Sequence, residues 1–277
     1  MALEKAYLLP HSPLLIPEIG KSNHSFLNKT IAAYEHIKND LIASQIETAI
    51  VISLHGRLQE DFFLLNCAPE MEITFQDFGF IPPKTMIKGD IPLADQLKTA
   101  LKGELSVKSL TDTTLDYGSA IPLYLLKNSS INFKTIVLLP ADKLDLSEQF
   151  KMGSQLAKNL ETIDKKVALI ASGDLSHRLK RKSPGGYSPK GPKFDNKLIE
   201  YLSEPETAKE NLLKLDSRLV LEANECALKP IAVLLGALEG RDFEPDILAY
   251  QTDFGIGYLS IDFQVKSKIW NQALTNN

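Results

Sequence analysis

The sequence predicts an α/β sandwich with a mostly parallel central sheet flanked by helices. Short apolar segments alternate with longer segments in which apolar residues recur at helical spacing. Several short segments are apolar nearly throughout, which is typical of strands buried on both faces. No linker-like composition divides the 277 residues. We therefore expect one domain over residues 1–277, with its core at about 5–265.

Two strands and an intervening helix are predicted in the first part of the chain. Ala6–Leu9 is a short strand closed by Pro10. Thr48–Leu54 (TAIVISL) has the composition of a buried strand. The helix between them is indicated by residues at helical spacing, namely Leu27, Ile31, Tyr34, Ile37 and Leu41.

The later part of the chain continues the alternation and ends in a predicted hairpin. Strands are expected at Lys134–Leu139, Val167–Ser172, Ile247–Gln251 and Tyr258–Phe263, and helices at Leu146–Leu160 and Leu221–Leu238. The hairpin turns around Gly255 and Gly257. Arg178–Pro192 is rich in Gly, Pro and basic residues, so we expect a long loop there. Such a loop is either a wall of a site or a mobile surface segment.

Composition excludes several classes of function. The net charge of −4 and the pI of about 5.8 leave no electrostatic footprint for nucleic acid or an anionic membrane. Cys67 and Cys226 follow no disulfide or zinc spacing, which favours a reducing, intracellular compartment. No signal peptide and no membrane-spanning apolar run is recognisable, so a cytoplasmic location is expected.

Three of the five histidines follow predicted strands. His11 comes after the first strand, His55 after the second, and His177 just beyond Val167–Ser172. Ligands of open α/β sheets bind outside the carboxyl ends of the strands, so these three imidazoles are expected to converge there. His24 and His36 fall outside this pattern, and we interpret them as surface residues.

Converging imidazoles indicate a metal site that needs a third ligand. Imidazole suits Fe, Zn and Cu, and a carboxylate would complete the triad of non-haem Fe(II) oxygenases. The segment Glu222–Pro230 offers Glu225 and Cys226. Adjacent helical residues diverge by about 100°, so only one of the two is expected to reach the metal. Their ordinary roles would be helix N-terminal charge complementarity for Glu225 and core packing for Cys226.

Four motifs in order carry a family resemblance. They are PHSPLLIPEIG near the start, the strand ending at His55 and Gly56, ASGDLSHRL around His177, and ECALKPIAVLLGAL near the end. Together they resemble the LigB family, the catalytic-subunit-B-like class III extradiol ring-cleavage dioxygenases. The similarity covers about residues 5–265. Within the family, the sequence is most similar to the Memo-like branch, which is associated with AMMECR1-like and radical-SAM partners.

The resemblance implies roles for individual residues. His11 and His55 match the two histidine ligands of Fe(II), and His177 matches an acid/base histidine. The third-ligand position falls at or next to Cys226. Memo-like proteins have cysteine there and ring-cleaving members have glutamate, which Glu225 would supply if the register slips by one. Zn and Cu stay open as alternative metals.

The resemblance also implies two alternative functions. The first is ring cleavage of a catecholic substrate with O2, in which Tyr117 stands where the dioxygenases carry histidine and would donate a hydrogen bond. Asp174 and Ser176 would orient the turn or His177. The second is a metal-binding redox or binding protein without ring cleavage, which Cys226 favours because thiolate prefers Cu(I) or Zn. Relatives are often homodimers, so a homodimer is expected.

Overall fold

Strands and helices alternate along the chain, as the sequence predicts. The computed structural model describes residues 2–127 and 133–266. Its strands are β1 Leu3–Leu9, β2 Thr48–Ile52, β3 Phe63–Asn66, β4 Glu70–Phe75, β5 Phe80–Lys88, β6 Val107–Leu110, β7 Lys134–Leu139, β8 Val167–Ser172, β9 Asp246–Gln251 and β10 Tyr258–Asp262. Its α-helices are α1 Pro17–Gly20, α2 Asn28–Ala43, α3 Ile91–Leu101, α4 Tyr117–Leu126, α5 Leu146–Leu160, α6 Lys190–Leu202, α7 Pro205–Leu213, α8 Ser217–Ala223 and α9 Leu228–Leu238.

Within the described part of the chain, eight strands form the central sheet, in the order β6-β3-β7-β2-β8-β1-β10-β9. The four central strands β7, β2, β8 and β1 are mutually parallel, and β10 joins β1 in antiparallel orientation. Strands β4 and β5 form a separate hairpin. This arrangement confirms the α/β class and the mostly parallel sheet. It also brings the carboxyl ends of β1, β2 and β8 to one edge.

Side chains of the central strands alternate between two buried apolar layers. In β2, Ile50 and Ile52 pack in the layer that contains α3, α5, α6 and α9. Ala49 and Val51 point to the opposite layer, which contains α2 and α4. Each central strand is therefore buried on both faces, which explains why these segments are apolar throughout rather than alternating.

One predicted helix is in fact two. The sequence predicts a helix over Leu221–Leu238, but α8 ends at Ala223 and α9 begins at Leu228. Asn224 has a φ of 53°, a left-handed conformation that terminates α8 and that asparagine tolerates better than most residues. The break turns residues 224–227 toward the edge of the sheet where β8 ends, since the N–H of Cys226 donates to the carbonyl of Asp174 at 3.1 Å.

The long loop is shorter than predicted. The sequence predicts irregular structure through Pro192, but α6 begins at Lys190. Gly191 and Pro192 therefore lie in the first helical turn, where a proline is tolerated because its missing N–H would have no partner in the helix. The loop packs on the turn between β9 and β10, where the hydroxyl of Ser183 donates to the carbonyl of Gly255 at 2.8 Å. Within residues 2–127 and 133–266, no helix is long and apolar enough to cross a membrane.

Candidate metal centre

His11 is held rigidly just beyond the carboxyl end of β1. Its side chain is 2% exposed. Its backbone N–H donates to Oδ1 of Asp174 at 3.0 Å, and its Nδ1 lies 2.9 Å from the hydroxyl of Ser172. Burial, followed by the nearby His55 and His177, holds the pKa of His11 well below its usual value. The ring is therefore neutral at pH 7.

His55 faces His11 across the edge of the sheet. The two Nε2 atoms lie 3.0 Å apart, and the rings meet edge to face. Burial lowers the pKa of His55 as well, although Asp116 opposes the shift. Both imidazoles are therefore neutral and present nitrogen atoms to the same point, which is the form in which imidazole binds a metal.

Cys226 is the third member of this cluster. Its Sγ lies 3.4 Å from Nε2 of His11, and one ligand atom from each of His11, His55 and Cys226 lies within 4.8 Å of the others. The backbone N–H of Asp174 points at the same sulfur at 3.3 Å. Burial, with Asp174 adding to it, raises the pKa of the Cys226 thiol. Without a cation nearby, the sulfur keeps its proton.

Glu225 turns away from the histidines and caps a helix. Its Oε2 accepts hydrogen bonds from the backbone N–H groups of Ala227 and Leu228, at 2.6 and 2.7 Å. These donors stand at the start of α9, where an acid satisfies otherwise unpaired N–H groups. Burial raises the pKa of Glu225 to about 6. Of the two candidate third ligands, the structure brings Cys226 to the histidine pair and places Glu225 in the capping role.

Asp174 and His177 form the wall next to His11. Oδ2 of Asp174 lies 3.9 Å from Nε2 of His11 and 3.9 Å from Nε2 of His177. Burial raises the pKa of Asp174 to about 7. Nδ1 of His177 donates to the carbonyl of Asn224 at 2.8 Å, so Nε2 carries the lone pair in the neutral ring. His177 thus presents a proton acceptor toward the cluster.

Tyr117 closes the other side of the cluster. Its ring stacks on that of His55 with centroids 4.3 Å apart, and its hydroxyl lies 3.2 Å from Nε2 of His55. It is the first residue of α4, whose N-terminus is capped by the carboxylate of Asp116. Burial and the neighbouring Cys226 and Asp174 raise the pKa of Tyr117, so it remains a hydrogen-bond donor at any physiological pH.

Ser176 does not line the site but is hydrogen-bonded to the segments that carry it. Its hydroxyl donates to the carbonyl of Ala223 at 2.9 Å, and its backbone N–H donates to Oδ1 of Asp195. Asp195 also accepts from the hydroxyl of Tyr250 at 2.8 Å, and burial raises its pKa to about 7. Asp195 is not among the site residues that the sequence predicts. The available signal was an acid on the apolar face of α6, next to Phe194.

A cavity of about 460 Å³ opens beside this cluster. Residues lining it include His55, Arg57, Asn66, Asp112 and Thr113. Its volume falls within the range of small-molecule sites, about 300–1,000 Å³. A larger cavity of about 710 Å³ lies between α7 and the end of α9 and contains none of the clustered residues, so it is unrelated to this chemistry.

Comparisons with known proteins agree with this geometry. Residues 5–260 match the family described as the catalytic LigB subunit of aromatic ring-opening dioxygenase. The Clostridium acetobutylicum protein CA_C1420 is 32% identical over 268 residues, which cover 93% of this chain. The chain spans only 57% of the length of that relative.

Two Escherichia coli proteins are also similar. The 3,4-dihydroxyphenylacetate 2,3-dioxygenase is 26% identical over 209 residues, covering 72% of this chain and 75% of that protein. The crystal structure of uncharacterized protein JW3007 has the same fold, with a TM-score of 0.69 at 18% identity, over 94% of this chain and 99% of that one. The family match spans most of the sequence, from β1 into β10, and the chain therefore belongs to the LigB family of aromatic ring-opening dioxygenases.

Proposed function

We propose that this chain is an Fe(II)-dependent extradiol dioxygenase, which uses O2 to open the ring of a catecholic substrate. The observation that carries the proposal is the convergence of His11, His55 and Cys226, with ligand atoms within 4.8 Å of one another, in a chain of the LigB family. His11 and His55 would hold the metal through Nε2 and Cys226 through Sγ.

The donor atoms fit a divalent transition metal. Ligand atoms that share one ion at about 2.0–2.3 Å lie ~3–4 Å from one another. The two Nε2 atoms are 3.0 Å apart, and Sγ is 3.4 Å from that of His11. Both rings are neutral, as ligation requires. The thiolate departs from the two-histidine, one-carboxylate set of non-haem Fe(II) oxygenases, and it also suits Zn or Cu(I).

The residues around the metal position supply the remaining functions. When bound, the Fe(II) would supply a centre at which the catecholic oxygens and O2 meet. His177 would accept the proton of a substrate hydroxyl at Nε2 and later return it, since its other nitrogen is engaged by Asn224. Tyr117 would donate its hydroxyl hydrogen bond to a reacting oxygen. Asp174 would hold His11 through the backbone and keep His177 close.

A loading experiment tests this proposal. Protein purified anaerobically is supplied with Fe(II), then with a panel of catechols, and finally with O2. We expect a yellow ring-opened product and O2 uptake in equal amounts, both lost in His177→Ala. The exposed histidine in His36→Ala provides the matched control, which should keep full activity. Absence of a ring-opened product from every catechol would rule out the proposal.

The same experiment distinguishes the alternative without ring cleavage. A protein that retains Cu or Zn through purification, and that opens no ring after Fe(II) loading, would be a metal-binding redox or binding protein. The observation that supports this second function is the position of Cys226 beside His11. The homodimer and the AMMECR1-like or radical-SAM partners implied by the resemblance stay predictions, to be tested by the mass of the purified protein and by co-purification.

A further inference from the structure

Ser172 occupies a position between His11 and the start of α4. It is the last residue of β8 and is fully buried. Its hydroxyl oxygen lies 2.9 Å from Nδ1 of His11 and 2.5 Å from the carbonyl oxygen of Gly118. The hydroxyl of Ser172 therefore contacts one ring nitrogen and one carbonyl oxygen.

The direction of these two hydrogen bonds follows from what each group can do. A carbonyl oxygen only accepts, so the single hydroxyl proton of Ser172 goes to Gly118. The oxygen of Ser172 must then accept a proton from His11, which places that proton on Nδ1. In the neutral ring the other nitrogen, Nε2, is left with its lone pair, and this is the atom that faces His55 and Cys226.

Pro122 explains why the carbonyl of Gly118 is available. In an α-helix the carbonyl at position 118 would accept the N–H of residue 122. That residue is a proline inside α4, which has no N–H to donate. The carbonyl lies in the buried first turn of the helix, so it requires another donor. The hydroxyl of Ser172 provides that donor, and its bond to Gly118 is thereby fixed in direction.

We propose that Ser172 is a positioning residue that fixes His11 in the tautomer with the proton on Nδ1, so that Nε2 is preformed as a metal ligand. The inference deepens the proposed function, and its metal-binding consequence rests on the cluster of His11, His55 and Cys226. Outer-shell hydrogen bonds of this kind orient ligand imidazoles, and their loss typically costs 10–100-fold in metal affinity. Neither the family match nor the ligand cluster assigns a role to Ser172.

The tautomer is measured directly in the metal-free protein. Histidine labelled with 15N gives separate shifts for protonated and bare ring nitrogens, and the His11 signals are identified by their loss in His11→Ala. We expect a protonated Nδ1 and a bare Nε2 in the wild type, and a mixture of tautomers in Ser172→Ala. A wild-type His11 with its proton on Nε2 would overturn the proposal, whether or not the protein opens rings.

The consequence for metal binding is measured by Zn(II) titration against a chromophoric chelator. We expect Ser172→Ala to bind Zn(II) at least tenfold more weakly than the wild type. The matched control is Ser260→Ala, since Ser260 is equally buried, in β10 of the same sheet, but its hydroxyl has no hydrogen-bond partner among the described residues. It should bind as the wild type does. A loss below tenfold in Ser172→Ala, or an equal loss in Ser260→Ala, would overturn the proposal.

Failure of the proposed function is distinguishable from failure of this inference. A wild-type protein that binds Zn(II) normally but opens no ring after Fe(II) loading contradicts the dioxygenase proposal alone. If Ser172→Ala fails to fold, the tautomer of the wild-type protein still decides the question, because that measurement needs neither the variant nor a metal.

Discussion

The Nε2 atoms of His11 and His55 lie 3.0 Å apart, although 44 positions separate the two residues in the chain. Parallel strands β1 and β2 flank β8 and bring both residues to one edge of the sheet. Two neutral imidazoles at this distance, with Sγ of Cys226 beside them, can offer nitrogen and sulfur lone pairs to a single ion. A metal cation at this point would be within reach of all three side chains.

Removing either imidazole should abolish tight metal binding. We expect His55→Ala to lower the affinity for Zn(II) by at least 100-fold. Only two protein donors would remain, which is too few to hold the ion tightly. Competition with a chromophoric chelator measures the change. His36→Ala removes an exposed histidine and serves as the control. Equal affinity of His55→Ala and the wild type would show that metal binds elsewhere.

Glu225 and Cys226 should behave oppositely when substituted. Cys226→Ser should weaken metal binding at least tenfold with little change in stability, because the sulfur is the donor. Glu225→Gln should leave metal affinity within about twofold and lower the free energy of unfolding by roughly 1 kcal/mol, since it weakens the cap of α9. Metal titration and urea unfolding check both variants. The reverse pattern would make Glu225 the ligand.

Asp195 should make stability depend on pH. Burial raises its pKa to about 7, so between about pH 4 and 7 the folded protein keeps a proton that the unfolded chain has lost. The stabilisation is fully present below the unfolded pKa and is lost as pH rises toward 7. We expect the wild type to lose on the order of 1 kcal/mol or more of stability relative to Asp195→Asn as pH rises over this range.

Urea unfolding at several pH values measures this effect. Glu104→Gln is the control, because it removes an acid from an exposed position. Its stability should run parallel to that of the wild type from pH 4 to 7. A difference between wild type and Asp195→Asn that stays constant across the same range would contradict the assignment of a neutral, buried Asp195.

Tyr117→Phe should separate turnover from metal binding. The substitution keeps the ring stacked on His55 and removes only the hydroxyl that lies 3.2 Å from Nε2. We expect Zn(II) affinity to stay within about twofold and ring opening by the Fe(II)-loaded protein to fall at least tenfold, since a positioned proton donor contributes about 10²–10⁴ in rate. Unchanged turnover would show that the Tyr117 hydroxyl has no part in the reaction.

The sequence predicted the parts of this molecule that depend on strong local patterns. Lys134–Leu139, Leu146–Leu160 and Val167–Ser172 have the predicted bounds, because each is a continuous apolar or strongly periodic run. The convergence of His11 and His55 followed from topology alone, since each lies within three residues of the end of a parallel strand. Predicting these features required no knowledge of long-range contacts.

The remaining features depended on contacts that a single sequence does not show. The break at Asn224 interrupts a segment whose composition favours helix on both sides, so the spacing of its apolar residues does not reveal the break. That break decides which of Glu225 and Cys226 faces the histidines. Ser172 and Asp195 likewise act through hydrogen bonds to partners 54 and 19 positions away, which local pattern does not reveal.

The most direct test of the metal site is a crystal structure of the Fe(II)-loaded protein, with anomalous data collected on both sides of the iron edge. We predict one iron peak within bonding distance, about 2.0–2.3 Å, of Nε2 of His11, Nε2 of His55 and Sγ of Cys226. An iron peak held by Glu225 in place of Cys226, or no iron peak between the two histidines, would contradict it.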